Sequence, residues 1–190
     1  MGPMRGYHYQ LLRSIYEWLE LAPEDRLFLE GAEDFDRVTN SGAQATQVKY
    51  TETDTRVTLR SPGAVAAINN FWAMRTKNPG RAVHLAFLTT AKTGVEAGDP
   101  FCNGSAGLDL WNIASRGTQD ATALAAAEAV RRFLVEDARL DEVMLKFLSA
   151  ASPSDAKAQL FDNVIWLTNQ PLVGDVEEAI LRKLAAICWD

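Results

Sequence analysis

At 190 residues, 47% hydrophobic and 23% charged, the chain has the composition of an ordinary globular protein with enough length to bury a core without disulfides. Its two cysteines, Cys102 and Cys188, form no CxxC, no apolar run reaches 18 residues, and no basic-then-apolar leader opens the sequence. A disulfide framework, a zinc site, membrane insertion and secretion are therefore not expected, and a reducing cytoplasm is.

Residues 7–21, "YHYQLLRSIYEWLEL", set Leu11, Leu12, Ile15, Trp18 and Leu19 on one stripe, which predicts an amphipathic helix closed by Ala22-Pro23. "RLFLE" (26–30) is short and apolar before Gly31 and predicts a buried strand. Two further strands are expected at about 34–39 and 44–50, around a Ser41-Gly42 turn. Ser61 and Pro62 then open a helix that Asn78-Pro79-Gly80 closes, and the apolar run at 82–91 predicts a strand buried on both faces. Residues 94–118 are Gly-rich, with "GLDLWNI" as one further candidate strand. From Asp120 onward four amphipathic helices are expected, with Ser154 or Asp155 capping the third and Asp175 the fourth. The order helix, three strands, helix, strand predicts an α/β unit with a central mixed sheet flanked by helices. The expected division is a core at 1–118 and a helical extension at 119–190. The apolar helical pattern still running at Cys188-Trp189 suggests that a further domain follows.

Charge is unevenly spread along this order. Residues 55–95 contain Arg56, Arg60, Arg75, Lys77, Arg81 and Lys92 and no acid, so this stretch carries +6 and the rest of a chain at −6 carries −12. Residues 17–36 hold eight acids against Arg26 alone. An anionic ligand follows the local field rather than the net charge, which makes Arg56, Arg60, Arg75 and Lys77 candidate nucleic-acid contacts. The plainer reading is two solvated faces.

The acids fall into a pattern on the hairpin. Side chains alternate along a strand, so Asp34, Asp36 and Val38 share one face, and Ala45, Gln47 and Lys49 share one face of the next strand. A two-residue turn at Ser41-Gly42 would pair Asp36 with Gln47 and Asp34 with Lys49, leaving Phe35 and Val48 on an opposite, dry face. Crowded carboxylates call for a cation, and an oxygen-only set of Asp34 and the Gln47 amide suits Mg²⁺ or Mn²⁺. Lys49 beside them can orient a water or neutralise a phosphate oxygen, which completes the parts needed for phosphodiester hydrolysis. Asp36 is either a second ligand or a solubilising neighbour. Glu30, an acid closing an apolar strand, is assigned a site role because its burial would need a partner.

The order of elements and "DFDRVTNSGAQATQVK" resemble the PD-(D/E)XK nucleases, in the Mrr-like variant that carries Gln-x-Lys. "GYHYQ", "FLEGAEDFD" and "TQVKY" resemble more narrowly the double-stranded-DNA endonuclease domains of bacterial antiphage effectors, found in CBASS proteins and large defence NTPases. The resemblance covers about residues 6–92. It implies a restriction-endonuclease-like core, Asp34 as metal-binding aspartate, Gln47 in the place of an acid, Lys49 as catalytic lysine, and Glu30 and Gln10 in support. It further implies a defence effector that acts on double-stranded DNA with Mg²⁺ and continues into a sensor or NTPase domain. A homo-oligomer on activation is expected separately, because a neutral Gln47 leaves a weak cation site and a chain at −6 approaches DNA only when several basic faces act together. The chain departs from the pattern in having Glu33 rather than proline before Asp34. The rival expectations are a catalytically silent nucleic-acid-binding domain and an oligomerisation module.

Overall fold

A computed structural model describes residues 3–40, 42–51, 55–102, 104–116, 120–137 and 139–187. The first helix, α1 (Pro3–Trp18), ends before the expected Ala22-Pro23 stop. Its buried side is centred on Tyr9, with Leu12, Ile15 and Tyr16 packed around it, while Leu11 and Trp18 from the expected stripe face outward. Strand β1 (Arg26–Leu29) lies at the edge of the sheet and is not buried; Phe28 is 49% and Leu29 56% exposed. An apolar tetrapeptide has no period that tells an edge from a centre, which is why the sequence misplaced it.

Strands β2 (Phe35–Thr39) and β3 (Gly42–Lys49) pair antiparallel with Thr39 opposite Gly42. Only positions 40 and 41 therefore separate them, and Ser41, half of the expected turn, lies outside the described residues. This shifts the register by two: Asp36 faces Ala45 and not Gln47. Continuing the ladder one pair beyond Phe35–Thr46 brings Asp34 level with Gln47 rather than Lys49. Inside the strand Gly42 lies close against Ala82: a Cβ there would stand 3.0 Å from the Ala82 carbonyl oxygen, which also accepts from Ala43 N–H at 3.2 Å, so glycine suits this approach. A shift of two leaves every side chain on its predicted face.

Helix α2 (Pro62–Lys77) connects β3 to the parallel strand β5 (Val83–Thr89), with Ser61 at the N-cap position and Asn78 at the C-cap as expected. A small parallel pair, β4 (Arg56–Val57) and β6 (Lys92–Thr93), flanks this unit. "GLDLWNI" is not a strand but part of α3 (Gly107–Ala114), because Leu108, Trp111 and Ala114 recur every three residues on one buried face. Helices α4 (Ala121–Asp137), α5 (Glu142–Ala150) and α6 (Pro153–Gln159) follow, the last opened by a Ser152–Asp155 capping box rather than by Ser154. The expectation that everything after Asp120 is helical fails at "VIWL". Val164 and Trp166 are buried and Ile165 is exposed, and this alternation forms β7 (Val164–Leu167), parallel to β5. Helix α7 (Val173–Ile187) then packs beside α1.

The result is an α/β protein with a mixed five-stranded sheet, order β1-β2-β3-β5-β7, covered by helices on both faces. The larger core joins Leu85, Phe87 and Trp166 to α2–α6, and the smaller joins Phe35, Val48 and Leu88 to α1 and α7. The division into a wet and a dry face is thus corrected. Ala45 and Gln47 point toward the larger core, and Gln47 is only 7% exposed. Two buried charges hold α3 at its ends. Glu96 accepts from Leu59 N–H (2.8 Å) and Gly107 N–H (2.9 Å), and Lys157 donates to the Ala114 carbonyl (2.8 Å) and to Asp162 (2.6 Å). Each sign suits the helix end it meets. Among the described residues, no helix is long and apolar enough to cross a membrane.

Candidate functional site

The loop from β1 to β2 carries the acids and is built around Asp36. Glu30 takes a positive φ of 52° and donates its N–H to the Asp34 carbonyl at 3.1 Å. Ala32 N–H donates to Asp36 Oδ2 at 2.7 Å, and a Cβ at Gly31 would lie 2.1 Å from that oxygen, so only glycine lets the loop close over the carboxylate. Asp36 therefore shapes the loop, and its other oxygen, Oδ1, is buried without a partner among the described residues.

Held in this way, Glu33 and Asp34 reach the second half of β3. Asp34 Oδ2 accepts from Val48 N–H at 2.5 Å, and Gln10 Nε2 of α1 donates to the Asp34 carbonyl at 3.4 Å. Glu33 accepts from Gln47 Nε2 at 3.1 Å and from Asn70 Nδ2 of α2 at 2.9 Å. Burial raises the Glu33 carboxyl above its ordinary range; Asp34 and Asp36 add to the rise, and the Asn70 hydrogen bond and Lys49 oppose it. Lys49, at the exposed end of β3, is thus within electrostatic reach of the cluster.

The predicted residues divide accordingly. Asp34 and Gln47 lie together, with Lys49 beside them and Gln10 behind Asp34. Glu30 is exposed rather than buried; it lines a cleft of about 280 Å³ with Gln10, Tyr7 and Asp34, so the burial argument for it does not hold. A cleft of about 400 Å³ adjoins Asp36 and Arg81 rather than Lys49. Two residues outside the expected site set belong to the cluster: Glu33, one of the acids of the hairpin run, and Asn70, whose sequence signal is a pair of adjacent asparagines in the apolar α2.

The acid-free stretch is not one patch. Arg60 Nε donates to Asp137 (3.0 Å) and Nη1 to the Ala97 carbonyl (2.7 Å), with its guanidinium stacked over Phe133, so Arg60 is a structural clamp on α4. Arg56 and Lys77 are exposed, and Arg75 is half-buried in the last turn of α2. At about 1.5 Å per residue, the two ends of α2 stand about 20 Å apart, with Asn70 and the acidic cluster between them.

Among the described residues, no three His, Cys, Asp or Glu side chains are grouped to hold a metal ion. The oxygen-bearing side chains gathered there are Glu33, Asp34 and Gln47, and the Gln47 amide oxygen is buried and has no partner among the described residues. Hard oxygen donors with one oxygen unsatisfied fit a hard divalent cation. Comparison with protein-family models, curated proteins and solved structures finds no match to the chain.

Proposed function

We propose that the chain is a Mg²⁺- or Mn²⁺-dependent endonuclease domain that hydrolyses phosphodiester bonds of double-stranded DNA, as the effector part of a cytoplasmic antiphage defence protein. The observation that carries this reading is the meeting of Glu33, Asp34 and Gln47 at one end of the hairpin, with Lys49 two residues further along β3. The path α1-β1-β2-β3-α2-β5, an antiparallel meander followed by a helical crossover to a parallel strand, supports a restriction-endonuclease-like core. That path lies within residues 1–118, and residues 119–190 support it by supplying β7 and α7.

Glu33, Asp34 and Gln47 would hold the cation. A divalent cation there supplies Lewis-acid stabilisation of the charge that grows on the phosphate. The chain's own residues do the rest. Lys49, carrying an ammonium on an exposed strand end, neutralises a non-bridging phosphate oxygen or orients the attacking water. Asn70 and Gln10 fix the acids from two helices on opposite faces of the sheet. Arg56 on one side, and Arg75 and Lys77 on the other, offer cations to phosphates flanking the cut. The full-length protein is proposed to continue into a sensor or NTPase domain and to assemble when activated.

One observation favours a second reading. Gln47 and Asn70 satisfy both Glu33 oxygens without any cation, an arrangement suited to a silent nucleic-acid-binding domain. A plasmid cleavage assay with Mg²⁺ or Mn²⁺ against chelator separates the two. Metal-dependent nicking or linearisation, lost in Lys49→Ala, supports the nuclease; salt-sensitive DNA retention with no cleavage under any metal supports the silent domain.

A further inference from the structure

Among the described residues no strand pairs with the outer edge of β1, and its surroundings are apolar. Phe28 and Leu29 are about half exposed, and Leu11 and Trp18 of α1 line a cleft together with Leu27 and Leu29. Open, apolar edges are templates for strand addition, and proteins that stay monomeric usually blunt them with proline, bulges or central charge. Here the charges stand at the two ends of the segment, Arg26 before it and Glu30 after it, both exposed.

The backbone fixes how another strand could join. Glu30 N–H donates to the Asp34 carbonyl, continuing the β1–β2 ladder in which Arg26 meets Val38 and Phe28 meets Asp36. Positions 26, 28 and 30 therefore direct their backbone groups toward β2, and alternation turns those of 27 and 29 to the open edge. An antiparallel partner must meet 27 and 29 with its own outward residues. When the partner is a second β1, the register centred on Phe28 pairs Leu27 with Leu29 twice, sets Phe28 against Phe28 on the two-fold axis, and carries Arg26 just past the partner strand's end, where Glu30 turns at a φ of 52°. The same register brings Arg26 of each copy opposite Glu30 of the other. Hydrogen bonding admits registers centred on Leu27, Phe28 or Leu29, and the opposite charges at the two strand ends favour the one centred on Phe28.

We infer that β1 is the dimer interface of this protein, a two-fold, edge-to-edge pairing that joins the sheets of two copies into one. Leu11 and Trp18 extend the apolar contact on the α1 side. Arg26 of the second copy arrives at the rim of the cleft lined by Gln10, Glu30 and Asp34. The pairing does not depend on the proposed reaction. A monomer that cuts DNA would remove the dimer alone, and a dimer that never cuts would remove the nuclease alone.

Sedimentation velocity of the full chain over a range of concentrations tests this, with circular dichroism to check each variant's fold. Wild type is expected to show a reversible monomer–dimer equilibrium. Phe28→Lys, which sets two ammonium groups together on the axis from a half-exposed position, should leave a folded monomer. Arg26→Glu and Glu30→Arg should each weaken association by about tenfold or more, and the double swap should restore it. Wild type that is monomeric at every concentration overturns the inference. So does a folded Phe28→Lys that dimerises like wild type, or a double swap no better than the single variants.

Discussion

Replacing Gln47 by glutamate tests the acidic cluster as a cation site without using catalysis. Gln47 is buried, and its Nε2 donates to Glu33 Oε2 at 3.1 Å. Gln47→Glu keeps the shape, removes that donor and places a second carboxylate against Glu33. Two like charges at about 4 Å repel by about 4 kcal/mol at an effective dielectric of about 20, and the lost hydrogen bond to a charged group adds about 2 kcal/mol. Proton uptake by the pair caps this cost, so a loss of about 3 kcal/mol is expected at neutral pH in chelator. A cation that binds only the folded state restores stability by mass action, about 2.7 kcal/mol at 100 times its Kd. Urea unfolding in chelator and in Mn²⁺ or Mg²⁺ measures both terms. The variant should be clearly weaker than wild type in chelator and recover most of the difference in metal. A variant as stable as wild type in chelator refutes the geometry, and one weakened but indifferent to metal refutes the cation site.

Lys49→Ala should abolish cleavage while changing stability by less than about 0.5 kcal/mol in urea unfolding, because Lys49 stands exposed at a strand end. Glu33 has a raised folded-state pKa, so its protonated form is favoured by folding. Its contribution is full below the ordinary glutamate range and is lost as pH rises through the folded value; Glu33→Gln should remove that slope from urea midpoints measured between weakly acid and neutral pH. Arg56→Ala and Lys77→Ala should each lower the salt slope of DNA binding by about 0.9, whereas Arg60→Ala should leave the slope alone and reduce stability through the lost Asp137 and Phe133 contacts. Lys157→Met should cost about 3 kcal/mol in thermal or chemical unfolding, because it strips a buried ammonium from the Ala114 carbonyl and Asp162.

Sequence by itself determined whatever depends on local period and punctuation. The stops at Asn78-Pro79-Gly80, the buried run that became β5 and the face shared by Gln47 and Lys49 follow from spacing within a few residues, and the structure keeps them. The candidate site was legible to the same extent: a strand's alternation put Asp34, Gln47 and Lys49 on one side, and the even shift of register kept them there. Tertiary structure decided the rest, because the deciding contacts are distant in sequence. Gly42 stands in β3 close against Ala82 rather than in the turn, in a register that sets Asp34 level with Gln47. Asn70, from a helix more than 30 residues away, made Glu33 a member of the cluster. Arg60 lost its free charge to Asp137. "VIWL" became a strand because β5 offered an edge beside which Val164 and Trp166 could be buried, a choice between helix and strand that four apolar residues do not encode alone.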